Sequence, residues 1–149
     1  GTELGLEAKR FMDAGDYVPD SVTNNMVRDR LGEADATDGF LLDGYPRTLA
    51  QVDELDGMLE AAGVALDAVL VLTVDDEELV QRLVRRAQTD GRTDDTEDVI
   101  RHRQDVYNEQ TAPLIKVYAD RGLLRTVDGM GEVDEVAKRI AAELDDVRA

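Results

Sequence analysis

The residues best suited to chemistry lie in the segment 43–47, Asp-Gly-Tyr-Pro-Arg, directly after the apolar run 40–42. A carboxylate such as Asp43 can hold a hydrated magnesium ion. Arg47 carries a planar fork of donors that grips a phosphate through two bonds, and the glycine and proline before it allow close backbone approach and a stiff turn. Two interpretations fit this spacing: a phosphate-binding edge, or an ordinary tight turn, where glycine and proline are common.

The elements around this segment predict where it lies. Short apolar segments alternate with helical patterns and are predicted to form strands at 39–43, 67–74 and 123–127. Strands that alternate with helices favour a parallel sheet covered on both faces, so the fold class is α/β. Ligands of such sheets bind at the carboxyl ends of the strands, where 43–47 begins. Three strands are few for this much helix, and the chain starts inside an apparent helix, so we expect further strands to precede it.

Capping signals mark the predicted helix boundaries. The residues predicted to begin helices are Asp20, Thr48, Asp75 and Thr96. The glycines predicted to end them are Gly15, Gly32, Gly63 and Gly122. Pro113 predicts a kink or a restart within the helix that follows Thr96. The polar segment 87–95 predicts an exposed loop.

The charge balance excludes some classes of function. The chain has 34 acidic and 17 basic residues among its 149, a net charge of -17. Such a field repels nucleic acid, so a nucleic-acid-binding function is not expected. Nearly all of the positive charge is arginine, which has two compatible explanations. One is a solvated acidic surface, suited to high salt or drawn from an arginine-biased genome, and the other is a set of arginines placed to hold a polyanionic ligand.

Composition and length also limit the covalent links, the location and the number of domains that we expect. There is no cysteine, which excludes disulfides and cysteine-bound zinc. The longest apolar run, 68–74, is far too short to cross a membrane, and no secretory signal is present, so we expect a cytoplasmic protein without a membrane partner. A length of 149 residues fits one domain.

The segment 40–47 followed by Gln51 resembles the signature of adenylate kinases. Three further segments resemble the same family in the same order along the chain: 13–20 (its AMP arm), 111–114 with Tyr107 (its late helix kink) and 127–129 (beside the ATP base). The resemblance covers essentially the whole chain, and chance agreement at four ordered places is very improbable.

This resemblance implies a three-layer, P-loop-kinase-type α/β fold, with a parallel sheet flanked by helices. It implies one kinase core over 1–149, with the AMP-binding arm at approximately 1–30. The segment 87–95 would be a lid of the short type, without the cysteines that bind zinc in some long lids. The implied partners are ATP, AMP, ADP and Mg²⁺, without zinc, and the implied state is a monomer.

The resemblance also assigns roles to single residues. It implies that AMP is bound by Tyr17, Val18, Gly44, Arg47 and Gln51. The ATP phosphates would be held, and the transferred group stabilised, by Arg82, Arg86, Arg92 and Arg103. Met130 and Gly131 would lie near the adenine of ATP, and Asp43 would orient water bound to magnesium.

Several of these residues have simpler explanations. Thr48-x-x-Gln51 fits a capping box, so Gln51 could cap its helix, bind the base, or do both. Arg82, with Arg85 and Arg86, could form a solvated helix face that pairs with Glu78. His102, the only histidine, is assigned to the surface.

One departure from the family pattern stands out. Adenylate kinases open with a strand and a glycine-rich G-x-x-x-x-G-K loop whose amides cradle phosphate, and this sequence contains no such loop. In the family the strand before that loop lies between those ending at Asp43 and Val74. We therefore expect unpaired strand edges, and expect the 149 residues alone to be inactive. The alternatives are a kinase for UMP or CMP, and a non-catalytic AMP-binding protein.

Overall fold

The computed structural model describes residues 2–13, 18–89 and 96–148. Over these residues the protein is α/β, as predicted. The chain divides into two compact units, Gly1–Val64 and Ala65–Ala149. The segment 43–47 belongs to the first unit, and the arginines predicted to bind ATP belong to the second.

The first unit is built from helices. They are α1 (Glu3–Asp13), α2 (Asp20–Leu31), a short 3₁₀ helix (Ala34–Ala36) and α3 (Leu49–Ala62). Helix α2 packs against both α1 and α3. The buried apolar side chains of this unit are Ala8, Val22, Val52, Leu55 and Leu59. The last three are the predicted inner face of α3, and their spacing places them on one side of a helix.

Both predicted boundaries of α3 are confirmed. The Thr48 hydroxyl accepts a hydrogen bond from the backbone N–H of Gln51, as an N-cap should. Gly63 ends the helix in the left-handed region at φ 68°, which glycine adopts without steric cost.

The prediction that Asp20 caps α2 is wrong. The N-cap position is Pro19, and α2 has no side-chain cap bond. Asp20 is the first helical residue, and its carboxylate accepts a hydrogen bond from the Gln51 side chain instead. Gly32 follows α2 as predicted, whereas Gly15 lies outside the described residues.

The predicted strand at 39–43 is also wrong. Among the described residues, the only sheet consists of two strands from the second unit, and nothing pairs with 39–43. A strand is stabilised by the ladder to its neighbour, so an apolar run with no neighbour does not form one. Leu41 is 77% exposed as a result.

The second unit contains that parallel sheet. Strands β1 (Val69–Thr73) and β2 (Leu124–Asp128) pair in register from Val69 with Leu124 to Thr73 with Asp128. The helices of this unit are α4 (Asp76–Thr89), α5 (Glu97–Val106), α6 (Ala112–Asp120) and α7 (Val133–Arg148). Helices α6 and α7 pack against β2. The other edge of β1 has no partner among the described residues, as expected.

Four helix boundaries in this unit test the predictions. Asp75 caps α4 and Thr96 caps α5, both as predicted. A π-helical turn, Tyr107–Thr111, separates α5 from α6, which restarts with Pro113 in its first turn. The prediction of an exposed loop over 87–95 is wrong at its start, because α4 continues to Thr89 and buries Ala87. Residues 90–95 lie outside the described residues.

Exposed ion pairs join neighbouring elements. Arg101 on α5 bonds to Glu77 on α4 and to Glu97 on its own helix, and these hydrogen bonds raise the pKa of Arg101. In the first unit, the hydrogen-bonded Arg30 guanidinium lowers the pKa of the Asp35 carboxyl below its ordinary value. Within the described part of the chain, no helix is both long and apolar enough to span a bilayer.

Candidate functional site

The turn at 43–47 is shaped by Gly44 and Arg47. The Arg47 Nε donates to the Gly44 carbonyl oxygen at 2.7 Å. Gly44 has φ 75°, and a Cβ at this position would lie 2.9 Å from Arg47 Nη2. The backbone angle therefore favours glycine, and a Cβ would also displace the end of the Arg47 side chain. Asp43 is exposed beside this turn.

A hydrogen-bond network holds Gln51 beneath the turn. The backbone N–H of Arg47 donates to Gln51 Oε1 at 2.7 Å, and Gln51 Nε2 donates to Asp20 Oδ1 at 2.8 Å. Gln51 is only 6% exposed. An N–H can only donate and an ionised carboxylate can only accept, so these two partners fix which end of the amide is oxygen.

The capping interpretation of Gln51 is thereby confirmed, with one change. In a capping box the reciprocal bond returns to the N-cap N–H. Here it returns to Arg47, one residue before the Thr48 N-cap. The helix start and the phosphate-binding candidate are therefore held by the same side chain.

Asn24 is a site residue that the sequence analysis missed. Its Oδ1 accepts a hydrogen bond from the Tyr45 hydroxyl at 2.8 Å, and Asn24 is 8% exposed. The hydroxyl of a half-buried tyrosine usually finds a partner, but no local spacing indicates that this partner lies on α2. Val18 is half-buried just before α2, and Tyr17 lies outside the described residues.

In the second unit, Arg82 contacts the loop predicted to lie near ATP adenine. Its Nε pairs with Glu78 at 3.0 Å, so the helix-spaced pair predicted for Arg82 is present. Its Nη1 and Nη2 also donate to the carbonyls of Gly129 at 3.2 Å and Gly131 at 3.5 Å. Arg82 and Gly131, both predicted site residues, are thus brought together.

The remaining ATP-site arginines lie on neighbouring helices. Arg86 is exposed on α4, and Arg103 is exposed on α5, which packs against α4. Arg92 lies outside the described residues. The convergence of these guanidinium groups on ATP phosphates stays a prediction. His102 is exposed, as predicted.

The loop after β2 fits tightly against β1. The Gly129 N–H donates to the Thr73 carbonyl at 2.8 Å. A Cβ on Gly129 would lie 2.9 Å from Val74 Cγ2 and 3.2 Å from the Thr73 oxygen, so only glycine fits without displacement. Met130 is half-buried, and its N–H donates to the Asp128 carboxylate at 2.9 Å. Arg139 on α7 also bonds to this loop, and the sequence analysis missed it.

The described residues contain no group of three or more acidic, histidine or cysteine side chains that could enclose a metal ion. A hydrated magnesium ion held through water needs no such group, because it retains most of its own water ligands. The exposed Asp43 carboxylate is compatible with that form of binding.

In the second unit, Arg82, Arg139 and the close-fitting Gly129 surround the loop after β2 of a parallel α/β sheet, where ligands of such sheets, nucleotides among them, bind. Comparison with known proteins defines the family. The adenylate kinase family model matches residues 1–123. The chain belongs to the adenylate kinase family.

Curated relatives agree along almost the full chain. An adenylate kinase of Nocardioides sp. is 67% identical over 145 residues, which is 97% of this chain and 76% of the relative. The adenylate kinase of Kocuria rhizophila is 67% identical over 97% of this chain and 77% of the relative. The adenylate kinase of Thermobifida fusca is 57% identical over 97% of this chain and 76% of the relative.

Proposed function

We propose that the gene product containing these residues transfers a phosphoryl group between ATP and AMP and forms two molecules of ADP. Family membership supports the reaction class. The observation that carries the assignment is the Gly44–Arg47 turn, whose arginine is fixed through Gln51 to the start of α3. The guanidinium of Arg47 is a donor for phosphate, and its backbone N–H is bonded to an amide that can read a base.

The AMP side of the reaction lies in the first unit. Arg47 binds the AMP phosphate, Gln51 bonds to its adenine, and Val18 lines the base. A phosphate oxygen of AMP attacks the γ-phosphorus of ATP, and the bond from that phosphorus to the β,γ-bridging oxygen breaks. The attacking oxygen is already ionised, so no side chain has to remove a proton.

The ATP side lies in the second unit. Arg86 and Arg103 hold the ATP phosphates and stabilise the charge spread over the transferred group. Arg82 links this helix to the loop at Met130, where the adenine of ATP binds. Asp43, in the first unit, would hold magnesium through water, and the ion would neutralise part of the phosphate charge. We propose that the protein acts as a cytoplasmic monomer.

The first test replaces Arg47 with alanine in the complete gene product. We expect kcat/KM for AMP to fall by more than about tenfold, because the charged partner of the AMP phosphate is lost. Arg28→Ala is the matched control: Arg28 is an exposed arginine of the same unit, paired with Glu54. It should change kcat/KM for AMP by less than about twofold.

Two results would contradict the proposal. A loss of less than tenfold in Arg47→Ala would remove this arginine from the AMP site. Calorimetry that showed AMP binding without ATP binding or turnover would favour a non-catalytic AMP-binding protein.

A further inference from the structure

Arg139 on α7 forms hydrogen bonds to two main-chain carbonyls of the loop after β2. Its Nη1 donates to the carbonyl of Asp128 at 2.9 Å and to the carbonyl of Met130 at 2.6 Å. The Asp128 and Glu135 carboxylates lie 3.8 and 3.9 Å from its guanidinium nitrogens and hold the group in place. Arg139 lies outside the residues matched by the family model.

Arg82 on α4 binds the two carbonyls of the loop that Arg139 does not bind. It donates to Gly129 at 3.2 Å and to Gly131 at 3.5 Å. Four consecutive carbonyls, 128–131, are therefore bound alternately by two guanidinium groups from two different helices. Ordering two arginine side chains costs conformational entropy, which the hydrogen bonds to this segment offset.

We propose that Arg139 is a positioning residue that, with Arg82, holds the segment 128–131 in the shape that receives the adenine of ATP. This inference rests on the proposed function, since it names how the ATP-base part of that site is kept in form. A base-binding site that is built from main-chain groups depends on where the backbone lies, so the side chains that hold the backbone also determine the site. Preorganisation of the segment lowers the ordering cost of binding.

The contacts inside the segment support the same conclusion. Gly129 is wedged against β1, and the Met130 N–H is bound by the Asp128 carboxylate. A Cβ on Gly131 would approach Glu135 Oε2 to 2.8 Å. The segment is thus fixed from β1, α4 and α7, and Arg139 is the contact from α7 that can be removed without introducing a clash.

The test compares three variants of the complete gene product: Arg139→Ala, Arg139→Lys and the control Lys138→Ala. Lys138 is the adjacent cation of α7 and is exposed. We expect Arg139→Ala to raise KM for ATP by roughly fivefold or more while KM for AMP stays within about twofold. The preference for ATP over GTP should fall, Arg139→Lys should recover part of the ATP affinity, and Lys138→Ala should resemble the wild type.

A merely structural role would change both KM values together or lower the Tm alone, and either result would overturn the proposal. An unchanged KM for ATP in Arg139→Ala would do the same. If Arg139→Ala does not fold, Arg139→Gln takes its place, with an intermediate rise in KM for ATP expected. A wild type without kinase activity contradicts the proposed function instead, and calorimetric ATP affinities of the same variants then test Arg139 directly.

Discussion

Gln51 shows how one side chain can serve both the fold and a ligand. A glutamine amide offers two N–H donors and two acceptor lone pairs. The fold uses one acceptor position, for Arg47 N–H, and one donor, for Asp20. One donor and one acceptor are left, and adenine presents the complementary donor and acceptor on one edge. Capping the helix and binding the base are therefore compatible, as the sequence analysis allowed.

Substitutions at Gln51 and Asp20 separate the two roles of the Gln51 side chain. Gln51→Glu places a carboxylate against Asp20 and should lower the free energy of unfolding by about 1–3 kcal/mol, because a buried donor is lost. Adding Asp20→Asn restores a donor opposite the new carboxylate and should recover at least half of that loss. KM for AMP should rise in both variants, since neither retains the free amide N–H.

Chemical denaturation and steady-state kinetics give the two readouts. A double variant no more stable than Gln51→Glu would contradict the hydrogen bond between positions 20 and 51. An unchanged KM for AMP in a stable double variant would contradict base binding by Gln51.

At the scale of elements, the helix boundaries could be predicted from local sequence, whereas contacts between distant segments could not. The caps at Thr48, Thr96 and Gly63 follow from residues within four positions of the helix end, so the sequence carries them. The strand predicted at 39–43 would need a neighbouring strand to pair with, and no local pattern shows whether that neighbour is present. Arg139 likewise bonds to a loop about ten residues before it, and its helical spacing gives no sign of that contact.

Substitution of two glycines by alanine should change the stability of the protein in opposite directions. Gly57 lies within α3, with nothing within 4 Å of an added Cβ, so Gly57→Ala should stabilise the protein by about 0.5–1 kcal/mol through helix propensity. Gly129→Ala places a Cβ 2.9 Å from Val74 Cγ2 and should destabilise it by about 1–3 kcal/mol. Denaturant unfolding of both variants checks this pair. Equal effects of the same sign would contradict the tight fit of the loop against β1.

At the scale of the whole molecule, the net charge of -17 dominates. Most of this charge is exposed, and its self-repulsion disfavours the compact state. Added salt screens that repulsion over a Debye length of about 10 Å at 0.1 M and about 3 Å at 1 M.

The Tm should therefore rise between low salt and about 1 M KCl, where screening is nearly complete. Differential scanning calorimetry at both salt concentrations measures this change, and NaCl should act like KCl if screening alone is responsible. A Tm that falls with salt would mean that the exposed ion pairs, such as Arg101 with Glu77, outweigh the repulsion.

The most direct measurement of the central claim follows the products when the complete gene product is given ATP, AMP and magnesium. ³¹P NMR should show two ADP formed for each AMP consumed, with UMP and CMP turned over at least about tenfold more slowly. Preferred turnover of UMP or CMP, or no ADP formed from AMP and ATP, would contradict the proposed adenylate kinase activity.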